Sequence, residues 1–207
     1  MGILRITVDH SVRIEAQSAR VHAWVHGSST FGSPVAAKKS AVVREIVADL
    51  AAAGVGEDAV EVASIRLATR EGKLVNASTI RVDLVVTAVP DELPAVLGVL
   101  ADRPGVGVEH VEWVYGEFEA SIPATAAAMA MARRKADAVA SAAGLEVTGI
   151  ANASDSWSMP SPGPESGGGM MYAAAARSAS APLDLGLELR ASTELSVHLS
   201  VDFQLSS

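Results

Sequence analysis

Residues Thr125 to Gly144 read TAAAMAMARRKADAVASAAG, and the spacing of their apolar side chains decides the class of fold. Met129, Ala132, Ala136, Val139 and Ala143 recur at steps of three and four, which sets them on one side of an α-helix. Arg133, Arg134, Lys135 and Asp137 take the rest of the turn and face water or a partner. The Thr125 hydroxyl is placed to cap the first turn, and Gly144 to end the helix in a left-handed conformation. Alanine dominates the buried side, so this helix can lie close against a sheet.

The strands of that sheet are legible as alternations of period two. The clearest closes the chain: Leu195, Val197, Leu199, Val201, Phe203 and Leu205 alternate with Glu194, Ser196, His198, Ser200, Asp202 and Gln204. At the other end, Leu4, Ile6, Val8, Val12 and Ile14 form one alternating run, and Val21, Ala23 and Val25 another. The polar break at Gln17-Ser18 between them predicts a long antiparallel hairpin. Ser33-Pro34 opens a helix with Val35, Val42, Val43, Ile46, Leu50 and Ala53 as its buried stripe, and Gly54 stops it.

Beyond Gly54 the spacing predicts a strand over Val60 to Ala68, a turn at Glu71-Gly72-Lys73, and a strand through Ile80, Val82, Leu84 and Val86. A short helix from about Glu92 to Ala101 follows Pro90-Asp91. Val106 to Phe118 reads as a strand with Val111, Trp113 and Tyr115 on one face, ended by Pro123. Leu145 to Ala153 reads as another. Ser154 to Pro182 is rich in Ser, Pro, Gly, Ala and Met and buries too little to repay its ordering entropy. The expectation is one α+β domain over residues 1–207, mostly antiparallel sheet with helices packed on one face, carrying a flexible insertion at about 154–182.

Composition bounds what such a domain does. The net charge of −8 and pI near 5.1 argue against nucleic acid and against an anionic membrane surface, because phosphate binding needs clustered Lys and Arg. With no cysteine there is neither a disulfide nor a thiolate nucleophile nor Cys-ligated zinc. Arg5, Asp9 and His10 interrupt the apolar run a signal peptide needs, so the chain as written reads as cytoplasmic. No stretch approaches the roughly 20 apolar residues of a spanning helix.

The motifs give no catalytic constellation. Gly167 to Gly169 lacks a following Gly-Lys-Ser/Thr, Gly105-Val-Gly107 lacks a third glycine, and no Gly-x-Ser-x-Gly occurs. Neither a cofactor nor an enzymatic activity is expected. His22, Trp24 and His26 share one strand face, and the predicted hairpin would set His10 across from Trp24. As a metal site this is weak, because His22 and His26 stand roughly 13 Å apart along a strand. The face reads instead as polar sheet surface, or as a subunit contact anchored by Trp24.

Arg133, Arg134 and Lys135 either dock an acidic partner or form a solvated helix face. Asp9, Glu15, Asp83 and Asp202 could meet across strands as paired carboxylates, although strand-face carboxylates usually face solvent. Met170, Met171 and Tyr172 in the insertion, with Met159, either bind a groove on a neighbouring subunit or client peptide, or are scattered apolar residues of a loop.

The ordered combination of an N-terminal hairpin, a helix ending in Ala-Ala-Gly, the run from Ala132 to Leu145, the Met170-Met-Tyr-Ala stretch and the terminal Val197 to Leu205 strand resembles the SIMPL-domain family. That family's helix carries Ala-Arg-x-Lys-Ala-Glu, with Asp137 here in place of Glu. The resemblance implies an α+β fold that self-assembles into large homo-oligomers, in one branch ring- or channel-shaped. It implies links to stress tolerance and the bacterial envelope, where members are often periplasmic, and no general enzymatic activity. The function expected is therefore a non-enzymatic, self-assembling scaffold whose partner is itself. A protein- or peptide-binding module is the alternative, and a metal-dependent enzyme a weaker one.

Overall fold

The computed structural model describes residues 2–30, 35–70, 77–160 and 191–206. In chain order these form β1 (Gly2–Glu15), β2 (Ser18–Thr30), α1 (Val35–Ala52), a 3-10 turn at Glu57–Ala59, β3 (Val60–Arg70), β4 (Ala77–Ala88), α2 (Leu93–Ala101), β5 (Val106–Val114), α3 (Glu117–Ala142), β6 (Glu146–Ser158) and β7 (Ser192–Ser206). The fold is α+β with two antiparallel sheets. They belong to two compact units, the first holding β1, α3, β6 and β7, the second β2 to β5 with α1 and α2.

In the first unit the sheet order is β1-β7-β6. The C-terminal alternation forms β7 as expected. Leu195, Val197, Leu199, Val201, Phe203 and Leu205 are all buried on the face that α3 covers. β7 lies between β1 and β6, in register from Gly2 opposite Leu205 to Glu15 opposite Ser192. The predicted hairpin of β1 with β2 does not form. β1 pairs with the end of the chain and β2 with β4 and β5. Period-two alternation names the buried face of a strand and leaves its neighbour open.

Ser121, Ala124, Ala128, Ala132, Ala136 and Ala140 line the buried stripe of α3, mostly at steps of four. Met129 is half-buried, whereas Val139 and Ala143 face out, because a run of fours drifts around the helix and follows the twist of the sheet beneath. The helix begins at Glu117, eight residues before Thr125. Phe118 is thus its second residue, Pro123 lies inside it, and β5 ends at Val114. Pro123 is exposed, and the carbonyl it deprives belongs to exposed Glu119, which water can serve. Glu117 and Glu119 favour the positive end of the helix. Gly144, at φ 71°, ends it as expected: the Leu145 N–H reaches the Ala140 carbonyl at 2.9 Å and the Gly144 N–H that of Ser141 at 3.0 Å.

In the second unit the sheet order is β3-β4-β2-β5, with α1 and α2 on one face. Val21, Val25, Ile46, Leu50, Leu84, Val86, Leu93 and Leu100 form the centre of its core. Ile46 and Leu50 are the buried turns of α1, with Val42 and Val43 packed beside them; Ala53 is exposed. Arg103 donates to Glu45 at 2.6 Å and to Asp49, tying the loop after α2 to α1. The expected turn at residues 71–73 and the Ser33-Pro34 helix start lie outside the described residues, as does most of the proposed insertion. Residues 154–158 of that insertion are the end of β6, and Met159 packs on the first unit's core.

The alanine stripe sets the distance between α3 and β7, so bulk inserted there has nowhere to go. Ala132→Leu is expected to lower unfolding stability by about 1–3 kcal/mol, read from denaturant midpoints. Ala130→Leu, on the exposed side, should change it by less than about 0.5 kcal/mol.

Candidate interaction surfaces

On the helix-free face of the second unit, β2 presents His22, Trp24 and His26 side by side. The His22 ring stacks on His110 of β5, with centroids 4.2 Å apart and planes 10° from parallel. Its Nε2 lies 3.4 Å from the Glu112 carboxylate. The half-buried Trp24 ring lies across Gly107, where a Cβ would overlap it. Its neighbours are the Arg81 guanidinium, 5.7 Å from its centroid, and the His26 ring edge. Arg81 in turn donates to Asp83 at 2.5 Å and to Glu109 at 3.2 Å. Asp83 accepts from the Ser64 hydroxyl at 2.6 Å and lies 3.4 Å from Arg66. The Ser64 hydrogen bond, then that from Arg81, holds its carboxyl below the usual range against partial desolvation.

His10 stands opposite Val197 in the first unit, so it is not Trp24's cross-strand neighbour. Among the described residues, no three His, Asp or Glu side chains are placed to hold one metal ion. Nor do the four strand carboxylates pair with one another. Asp9 meets His198 at 2.7 Å, Asp83 its two arginines, and Asp202 the guanidinium of Arg5, through Nε at 2.6 Å and Nη2 at 2.9 Å. Asp202, read as a polar-face residue, is in fact buried by that fork.

The first unit also has a shallow groove of about 640 Å³ lined by Thr7, Val8, Asp9, Met131, Arg134 and Lys135. It runs between α3 and β1, an edge strand of its sheet. Edge strands flank the second unit too. There Val62, Ile65 and Leu67 of β3 stand on the core side of the sheet and remain 47%, 66% and 63% exposed. On β6 of the first unit Ile150 and Trp157 are 49% and 39% exposed.

A family model described as SIMPL, protein of unknown function (DUF541), matches residues 4–203. The chain belongs to the SIMPL family. No curated protein matches it. The match runs through both units of this SIMPL chain.

The basic trio of this SIMPL helix divides. Arg133 turns toward β6, donating to Asp137 at 3.0 and 3.2 Å and to the Val147 carbonyl at 3.2 Å, with its guanidinium 6.0 Å from the Phe203 ring centre. Arg134 and Lys135 point to the groove side. Trp24 lies in the second unit, and Arg133, Arg134 and Lys135 in the first. Met170, Met171 and Tyr172 lie outside the described residues. His110 and the apolar row of β3 went unread in the sequence, and Gly107 was weighed only in an incomplete glycine motif, because each matters through its cross-strand neighbour.

The Arg5 hydrogen bond lowers the Asp202 carboxyl, with partial desolvation opposing it and the Arg5 charge adding to it. A carboxyl held low in the folded state contributes stability that is complete above its unfolded value of about 3.9. That contribution is lost as pH falls through the lowered folded value. Asp202→Asn is therefore expected to lower the unfolding midpoint at pH 7. It should also lose less stability than the parent between about pH 5 and pH 2, measured by acid titration of circular dichroism.

Proposed function

We propose that this SIMPL chain is a non-enzymatic scaffold whose working form is a homo-oligomer. One observation carries the reading: strands at sheet edges keep large apolar side chains uncovered. Val62, Ile65 and Leu67 of β3 do so in the second unit, Ile150 and Trp157 of β6 in the first. An edge strand offers unpaired N–H and C=O groups, and natural proteins usually blunt such edges with charge, bulges or a covering element. An apolar row left beside an open edge has the composition of a buried contact. The ring- or channel-like architecture, and the stress- or envelope-related role, belong to the same proposal. Light scattering at micromolar concentration is expected to give a mass well above the 21.2 kDa of one chain. A monomer there overturns the proposal.

The groove between α3 and β1 favours a second reading, a binding module for an extended acidic segment. Val8 and Met131 give it an apolar floor, Arg134 and Lys135 a positive wall, and β1 an edge that is free among the described residues for strand addition. A titration of an acidic, Leu-containing peptide should show saturable binding that Lys135→Glu weakens about tenfold or more, as expected for a rim charge near a strand-addition site. Equal binding to both proteins removes this reading.

A further inference from the structure

β3 is an edge strand bonded to β4 alone among the described residues. Its pairing slips between Val62 and Ser64, leaving Ala63 as a bulge. The slip has a consequence for the faces. Val60, Val62, Ile65 and Leu67 stand opposite Val86, Leu84, Val82 and Ile80, all on the core side, while Glu61, Ser64 and Arg66 stand on the helix-free side. Without the bulge Val62 and Ile65 would face opposite ways. α1 lies over β2 and β4, which leaves the β3 row at the margin of the covered area.

This run is self-complementary. Turned end for end about an axis between Ala63 and Ser64, it sets Val62 opposite Ile65, Val60 opposite Leu67 and Glu61 opposite Arg66, the two members of each pair standing on the same side. Glu61 makes no ion pair among the described residues, and the Arg66 side chain is 72% exposed. Other axes fail. One through Ser64 would set Glu61 against Leu67, and one through Arg66 would oppose two guanidinium groups. The geometry points to a two-fold contact in which β3 pairs antiparallel with β3 of a second copy, Glu61 facing Arg66 on both sides of the axis. The two four-stranded sheets then run on as one, and each apolar row is covered by the other copy's row.

Other edges are less suited. β6 carries two register shifts, which twist an edge away from flat pairing. β1 is regular, but its outward residues include Arg5, Asp9, Arg13 and Glu15, and its apolar face lies under α3. On β3 the charges are few and placed to attract.

This inference rests on the self-assembly reading, and its test separates the two. The association constant of the parent is compared with those of Glu61→Arg, Arg66→Glu and the double swap, by sedimentation or native mass. Each single reversal turns two attractive cross-strand pairs into repulsive ones and should weaken association on the order of tenfold. The double swap should restore it, and Ile65→Glu should abolish this contact while leaving the thermal midpoint of each copy within a few degrees. Because the chain has no cysteine, a Val62→Cys, Ile65→Cys variant should also cross-link to a dimer under mild oxidation. An oligomer indifferent to Ile65→Glu, or a double swap that stays weak, overturns this interface and leaves self-assembly standing. A parent chain that is monomeric overturns both.

Discussion

The first strand of the chain pairs with the last, and the sheet, core and helix of the first unit depend on that pairing. β1 and β7 run antiparallel without a slip from Gly2–Leu205 to Glu15–Ser192, so the two ends of the sequence form one sheet. Closing so long a loop is entropically unfavourable, although the cost grows only with the logarithm of length. The return is a continuous apolar face, Ile6 and Val8 beside Leu195 to Phe203, which the alanines of α3 can approach closely. Pairings of such high sequence separation slow folding on average. The second unit has its own long-range closure, since β2 pairs with β4 from Ala19 opposite Ala88 and with β5 from Ser18 opposite Val114.

That arrangement explains why the faces of strands were legible and their partners were not. Leu195 to Leu205 announced β7 because one side of it is wholly core, and the same logic located β4 through Ile80 to Val86. A hairpin between β1 and β2 was the economical reading of two adjacent alternations separated by Gln17-Ser18. Nothing in either run names β7, or β4 and β5, as the true neighbour. Pro123 misled in a different way. A proline is a good signal of a helix end on average, yet here its lost hydrogen bond falls on the solvent side of α3, where it is cheap.

The candidate surfaces were less legible for the same reason, since each depends on a cross-strand neighbour. Trp24 stood out in the sequence, but its ring position follows from Gly107 beneath it and Arg81 beside it. His22 drew attention together with His10 and His26. Its actual stacking partner, His110, comes from a strand whose register is shifted by a bulge at that point. Arg133, Arg134 and Lys135 look equivalent as a run, yet successive residues on a helix point about 100° apart. One of them therefore serves β6 while the other two border the groove.

The bulge at Ala63 joins these threads. In a strand of strict period two, Val62 and Ile65 would lie on opposite faces, and the edge would show two apolar residues to each side. One inserted residue brings them to the same side and gathers four apolar residues into a row beside an open edge. Bulges at edges commonly serve to block pairing. Here the bulge aligns an apolar row with itself under a two-fold axis and leaves one acid and one base on the other face to select the register. For a chain of net charge −8, in which two copies repel at long range, such short-range complementarity favours association in one orientation over nonspecific contact.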